Sequence, residues 1–141
     1  MFAAASLNVS AQAISVSDSE LRNFILTYKS LQEIQENGNE NMEKALIESE
    51  LPEAAFFEMY ELSLNAPTEI YSRFSSEYTT LFNELMETFN TIQEEAKDKM
   101  VSTIEERGMT VARFNLITEH LRRNPSLQER VREMEDEMMR E

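Results

Sequence analysis

Residues that could catalyse a reaction or hold a metal ion are scarce in this sequence. Catalysis by a side-chain nucleophile requires a positioned base beside it, and zinc or iron sites require several nitrogen or sulfur ligands. The chain has no cysteine, and its only histidine is His120. Disulfides and thiolate metal sites are therefore excluded, and we expect His120 to be a structural residue near the end of a helix.

Carboxylates are abundant, but their pattern is typical of solvated helix faces. Of the 27 acidic residues, 24 are glutamate, and adjacent glutamates such as Glu94 and Glu95 point about 100° apart on a helix. No calcium-loop motif occurs, and two glycines cannot supply a glycine-rich phosphate loop. We therefore predict a protein that is not an enzyme and has no catalytic, cofactor-binding or metal-binding residues.

The composition favours helices, and the stretch Glu105–Leu127 indicates how they are joined. The chain has only 2 glycines and 3 prolines and is rich in Glu, Leu and Met. Gly108 suits a helix C-terminus because it can adopt a positive φ, and Thr110 can cap the next helix. Asn124 and Pro125 then supply an N-cap and a first helical residue. The stretch predicts three consecutive helices separated by two short corners.

A long helix is predicted near the start of the chain. Ser17 and Glu20 match a capping box, and apolar residues follow at helical spacing. The polar stretch 35–41 contains Gly38 and could be a loop, but the stretch 93–99 that aligns with it favours helix. We predict a continuous helix, locally weak at Gly38, that ends near Glu48.

Two shorter helices are expected next, from about Pro52 to Leu64 and from Pro67 to Arg73. Phe56 and Met59 are predicted to point inward. The residues expected to widen this buried apolar face are Phe57, Tyr60 and Leu62.

The chain repeats itself at an offset of 58 residues. Residues 16–67 align with 74–125 without a gap, and 11 of the 52 pairs are identical, including Phe24/Phe82, Phe56/Phe114 and Pro67/Pro125. We predict an all-α helical bundle of two tandem three-helix repeats (long, medium and short helix) in a pseudo-two-fold arrangement. The repeats would span 14–73 and 74–141 and pack as one globular unit, with the shorter helices on the long helix of either copy.

The second copy contains an aromatic–Asn pair, Phe114-Asn115, and a polar-Pro-x-Leu corner from Asn124 to Leu127. With these motifs it resembles the bacterial domain of unknown function 4168, and the first copy resembles it in part. The first copy departs from the pattern in having Phe57 where the second has Asn115. The resemblance implies an exported, all-helical domain of uncharacterised role, with no catalytic residues to carry over. We expect Gln35 and Gln93 to bond across the bundle, with ligand contact as the alternative. The positions that carry the resemblance and that we expect to be structural are Phe82, Ile92, Gln93, Gly108, Phe114, Asn115, Pro125 and Leu127.

The first 13 residues have no charge and end in Ala11-Gln12-Ala13, an arrangement typical of signal-peptidase sites. The apolar run is short and lacks a basic start, so we interpret 1–13 as the remnant of a secretory signal peptide. A disordered or docked tail is the alternative. We therefore expect an exported protein, periplasmic or extracellular in a bacterium, and no stretch is long enough for a membrane span.

The net charge of −14 restricts the partners that the chain can bind. It would repel nucleic-acid phosphates and anionic membrane surfaces. It also favours a monomer or a weak homo-oligomer, because copies of the chain repel one another.

Nine methionines are the one compositional indication of binding, since methionine suits adaptable apolar surfaces. Two functions remain open besides an enzyme, which would require a pocket with convergent glutamates of raised pKa. The first is a non-enzymatic binding module for an unknown protein or peptide partner, which would expose an apolar or methionine-lined groove. The second is a structural or stress-associated envelope protein, which would have a uniformly acidic surface and no concave site.

Overall fold

The computed structural model describes residues 14–141, and this part of the chain contains six α-helices and no β-strand. The predicted all-α fold is confirmed. The predicted signal-peptide remnant, residues 1–13, lies outside the described residues. The helices are α1 (Asp18–Glu48), α2 (Glu53–Asn65), α3 (Glu69–Arg73), α4 (Ser76–Glu106), α5 (Val111–Arg123) and α6 (Pro125–Met139).

The corners between helices are set by local signals in the sequence. The side chains of Thr110 and Asn124 accept hydrogen bonds from backbone amides at the starts of α5 and α6, at 3.0 and 3.1 Å. Gly108 has a φ of 82°, the only positive φ among residues 14–141, and its amide donates to the Glu105 carbonyl at 3.0 Å. Because these signals act within a few residues, the helix boundaries here are readable from the sequence.

α1 continues without a break through Gly38, as predicted. Gly38 is buried, and a Cβ built there would lie 3.7 Å from the Cβ of Ala96 and 4.0 Å from Cγ2 of Ile92. These are ordinary van der Waals distances. The neighbouring helix therefore leaves room for a methyl group at this position.

The chain divides into two compact units, and each long helix contributes residues to both of them. Unit 1 comprises residues 14–31 and Val101–Glu141, and unit 2 comprises Gln32–Met100. Unit 1 therefore contains the start of α1, the end of α4, and α5 and α6. Its core is formed by Val16, Leu21, Phe24, Ile25, Ile104, Met109, Phe114, Ile117 and Leu127.

The core of unit 2 is formed by α2, α3, the start of α4 and the corner before α2. Phe56 and Met59 are buried as predicted, but Phe57 and Tyr60 are exposed, so the prediction that they widen the buried face is wrong. The reason is geometric, because Phe57 points about 100° away from Phe56 on the helix and lies outside the face that is covered. The buried core residues of unit 2 are Leu51, Phe56, Met59, Ile70, Phe82 and Leu85.

The two units use aligned residues in similar contacts. The rings of Phe24 and Phe114 are 4.9 Å apart in unit 1, and those of Phe56 and Phe82 are 5.8 Å apart in unit 2. In each unit the shorter helices pack against the start of the long helix from the other predicted copy. The boundaries of α1 and α2 recur 58 residues later in α4 and α5. A duplication in the history of the chain stays a prediction.

Candidate binding groove

The residues that carry the family resemblance are divided between the two units. Phe82, Phe114 and Leu127 are buried core residues, whereas Ile92 is half-buried and Gln93 and Asn115 are exposed. Gly108 lies in the corner before α5, and Pro125 is the first residue of α6. Most of them support packing or turns.

A groove of about 380 Å³ with a mainly apolar lining lies between α2 and α4 in unit 2. The lining residues on α4 lie three, four and seven positions after Met86, so they form one stripe along that helix. The residues that line this groove are Phe56, Phe57, Tyr60, Met86, Phe89, Asn90 and Gln93.

The floor of the groove is an aromatic cluster centred on Phe56. Its ring meets those of Phe57 and Phe89 edge to face, with centroids 5.4 and 5.6 Å apart. It stacks on Tyr60 at 6.0 Å. Phe56 is only 5% exposed and belongs to the core of unit 2. Pairs of this geometry add stability beyond simple burial.

The α2 wall of the groove is apolar and solvent-exposed. Phe57 is 55% exposed and Tyr60 is 42% exposed. Leu64, which is 68% exposed, continues the same helical stripe because it lies four residues after Tyr60. Large apolar side chains that are grouped on one exposed face mark interaction sites more often than scattered ones do.

A second hollow, of about 240 Å³, adjoins the groove at Gln93, which lines both. The amide of Gln93 donates to the sulfur of Met42 on α1 at 3.8 Å. Gln93 thus bonds across to α1, as predicted, and it also borders the groove. The prediction is wrong for Gln35, whose side-chain amide donates to Asn39 on its own helix at 3.1 Å. Met42 and Met100 give this hollow two thioether side chains.

The two units differ strongly in charge. Unit 2 contains sixteen acidic and four basic side chains, a net charge of −12, whereas unit 1 contains eleven and nine, a net charge of −2. Four exposed glutamates lie at helix positions next to lining residues: Glu53 and Glu61 are each four residues from Phe57 on α2, and Glu87 and Glu94 each follow a lining residue on α4. The groove therefore combines apolar walls with an anionic border.

In unit 1, arginines neutralise carboxylates at the start of α1. The Arg113 guanidinium binds both carboxylate oxygens of Glu20, at 2.7 and 2.9 Å, and also donates to the Ser15 carbonyl. The hydrogen bonding between Arg113 and Glu20 holds the pKa of the Glu20 carboxyl below its ordinary value and raises the pKa of Arg113. Arg130 binds Asp18 at 2.8 Å in the same region. These pairs could not be predicted from local patterns, because 93 and 112 residues separate their members.

The described helices include none that is both long and apolar enough to cross a membrane. Nor do residues 14–141 bring three or more His, Asp or Glu side chains together in a metal-binding arrangement. The lone histidine, His120, is half-buried on α5. The groove of unit 2 presents aromatic, thioether and amide side chains.

Comparison with known proteins identifies one family. Its model, described as Domain of unknown function (DUF4168), matches residues 17–131, which include residues of both units. The match covers most of the chain, and the chain belongs to this family. Comparison with curated proteins and with solved structures returned no match.

Proposed function

We propose that this member of the DUF4168 family is not an enzyme and works by binding a protein or peptide partner in the groove of unit 2. The observation that carries the proposal is the pair of exposed aromatic side chains, Phe57 and Tyr60, beside the buried ring of Phe56. Aromatic anchors of this kind dominate the binding energy of many protein interfaces.

The alternative function, an envelope protein without a ligand site, expects a uniformly acidic surface with no concave site. The groove favours binding, because a hollow of about 380 Å³ with an apolar wall is of the size that small binding sites have. The division of charge between the units also supports this choice, since an evenly solvated surface would need no such contrast.

Selection from a random peptide library displayed on phage tests the proposal. The full chain should enrich peptides whose binding is lost in Phe57→Ala and Tyr60→Ala. The control is Tyr71→Ala, because Tyr71 is exposed in unit 2 but does not line the groove. Thermal unfolding should verify that all three variants fold. Enriched peptides that bind all variants equally, or no enrichment at all, would contradict the proposal.

Export to the periplasm or the cell exterior is part of the same proposal. It is supported by the small, uncharged residues of 1–13 and by the Ala11-Gln12-Ala13 arrangement. Fractionation of the native bacterium, followed by N-terminal sequencing of the chain, tests it. A mature form that starts after Ala13 outside the cytoplasm is expected, and an uncleaved cytoplasmic chain would contradict it.

A further inference from the structure

We infer that the partner is a basic amphipathic helix, whose apolar face enters the groove of unit 2 and whose lysines and arginines meet its acidic border. This inference rests on the proposed function and names the chemistry of the partner. It is carried by the charge of unit 2, by the exposed aromatic rings, and by the length and the helical walls of the groove.

The charge of unit 2 selects a cationic partner. Its net charge of −12 is concentrated in 69 residues, while unit 1 is close to neutral. Complementary charge speeds encounter and rejects partners of the wrong sign. A second copy of the chain would set one acidic border against another, so self-association through this face is disfavoured.

The acidic residues lie close to the apolar stripes. Glu53 and Glu61 are each four residues from Phe57, so all three project from neighbouring positions on α2. On α4, Glu87 and Glu94 are seven residues apart, and each follows a residue of the lining stripe. A helix seated on Phe57 and Met86 would therefore hold its flanking side chains within reach of carboxylates.

The exposed aromatic rings suit the same partner. A lysine or arginine that lies over the face of Phe57 or Tyr60 gains a cation–π attraction in addition to its pairing with carboxylates. The aliphatic stems of these basic residues also cover apolar surface while their charged ends stay in water. A single basic side chain of the partner can therefore make both the cation–π contact and the apolar contact.

The dimensions and the backbone of the groove favour a helix over an extended strand. From Met86 to Met100, the part of α4 that borders the two hollows is about 21 Å long at 1.5 Å per residue, which matches about fourteen residues of a partner helix. The walls are helices, which offer no strand edge with which an extended peptide could pair. A helix satisfies its own backbone hydrogen bonds.

Three synthetic peptides of about fourteen residues test the inference by fluorescence anisotropy with the full chain. The first has leucines at helical spacing and lysines elsewhere, the second has glutamates in place of the lysines, and the third has the lysine peptide's composition in scrambled order. The first should bind, should weaken as salt rises, and should gain helicity on binding. The glutamate and scrambled peptides should bind at least tenfold more weakly.

Matched charge reversals separate the border of the groove from the overall charge of the chain. Glu61→Lys with Glu87→Lys should weaken the lysine peptide about tenfold. Glu133→Lys with Asp136→Lys changes the total charge equally on exposed positions of α6 and should have less than a twofold effect. Phe57→Ala should abolish binding.

Each other outcome overturns the inference. Equal loss in both charge-reversed variants, or binding that survives Phe57→Ala, would reduce the interaction to general attraction between an acidic protein and a basic peptide. Preference for the glutamate peptide, or groove-dependent library peptides without basic residues, would overturn the inference and leave the proposed function standing. If neither the synthetic peptides nor any library peptide bound, both the inference and the proposed function would be overturned.

Discussion

Phe57 shows how one residue can change what a helix surface does. In the aligned position of the second copy stands Asn115, which is exposed on α5. Phe57 is also exposed, but it meets Phe56 edge to face and forms the wall of the groove. A hydrated amide at one position and an aromatic ring at the other give the two units surfaces of different chemistry.

Replacing Phe57 by asparagine tests the role of this residue. Because the ring is 55% exposed, the free energy of unfolding should change by less than about 1 kcal/mol. Peptides selected on the groove should lose at least tenfold in affinity. Isothermal titration calorimetry measures the affinity, and urea unfolding measures the free energy of unfolding. Leu116→Asn, an exposed apolar position of unit 1, should leave the affinity unchanged, and an equal loss in both variants would contradict the account.

Gly38 offers a second prediction at the scale of a residue. Since a Cβ there meets Ala96 at an ordinary distance, Gly38→Ala should stabilise the chain by about 0.5–1 kcal/mol through its higher helix propensity. Ala96→Gly should destabilise it by a similar amount. Urea unfolding measures both. A destabilised Gly38→Ala variant would show that the helices cannot accept a methyl group at this contact.

The Glu20–Arg113 pair predicts a dependence on pH. The pKa of Glu20 is lowered in the folded chain, so the pair stabilises the fold above the ordinary glutamate pKa, and this contribution is lost as pH falls through the lowered value. At neutral pH, Glu20→Gln should cost up to about 1 kcal/mol, because the pair is partly exposed.

Urea unfolding from neutral to acidic pH measures this difference. The free energies of unfolding of the wild type and Glu20→Gln should converge at low pH. In an Arg113→Gln background the pH-dependent part of the difference should vanish. A difference that is constant with pH, or that persists without Arg113, would contradict the assignment.

At the scale of elements, the packing of α5 on α1 and of α2 on α4 places aligned phenylalanines in similar surroundings. Phe24 and Phe82 are 1% and 4% exposed, and each touches a phenylalanine of a shorter helix. The exchange of short helices between predicted copies could not be derived from the sequence, because both arrangements bury the same stripes. The helix boundaries could be derived, because caps such as Thr110 act locally.

Truncation of these two rings tests whether the units are equally dependent on them. Phe24→Ala and Phe82→Ala should each cost about 3–5 kcal/mol, the range for buried aromatic residues. Chemical unfolding gives the values, and Phe57→Ala is the exposed control. A cost near zero for either ring would show that its unit is not built on that contact.

At the scale of the whole molecule, the division of charge follows the packed units and not the order of the chain. Cut at residue 73, the sequence gives two acidic halves of similar charge, −8 and −6. Each unit contains parts of both long helices. When the same residues are grouped by unit, the net charges are −12 and −2. The candidate groove could not be predicted either. Its walls come from α2 and α4, which belong to different predicted copies, and the sequence pattern of its exposed rings is that of core residues.

The measurement that tests the central claim most directly is an NMR titration of the isotope-labelled full chain with the lysine–leucine peptide. The account predicts that shift changes at saturation concentrate on α2 and α4 in unit 2, at Phe57, Tyr60, Phe89 and Gln93. Exposed acidic positions of α6 should show little change. Changes spread evenly over acidic residues of both units, or centred on unit 1, would contradict it.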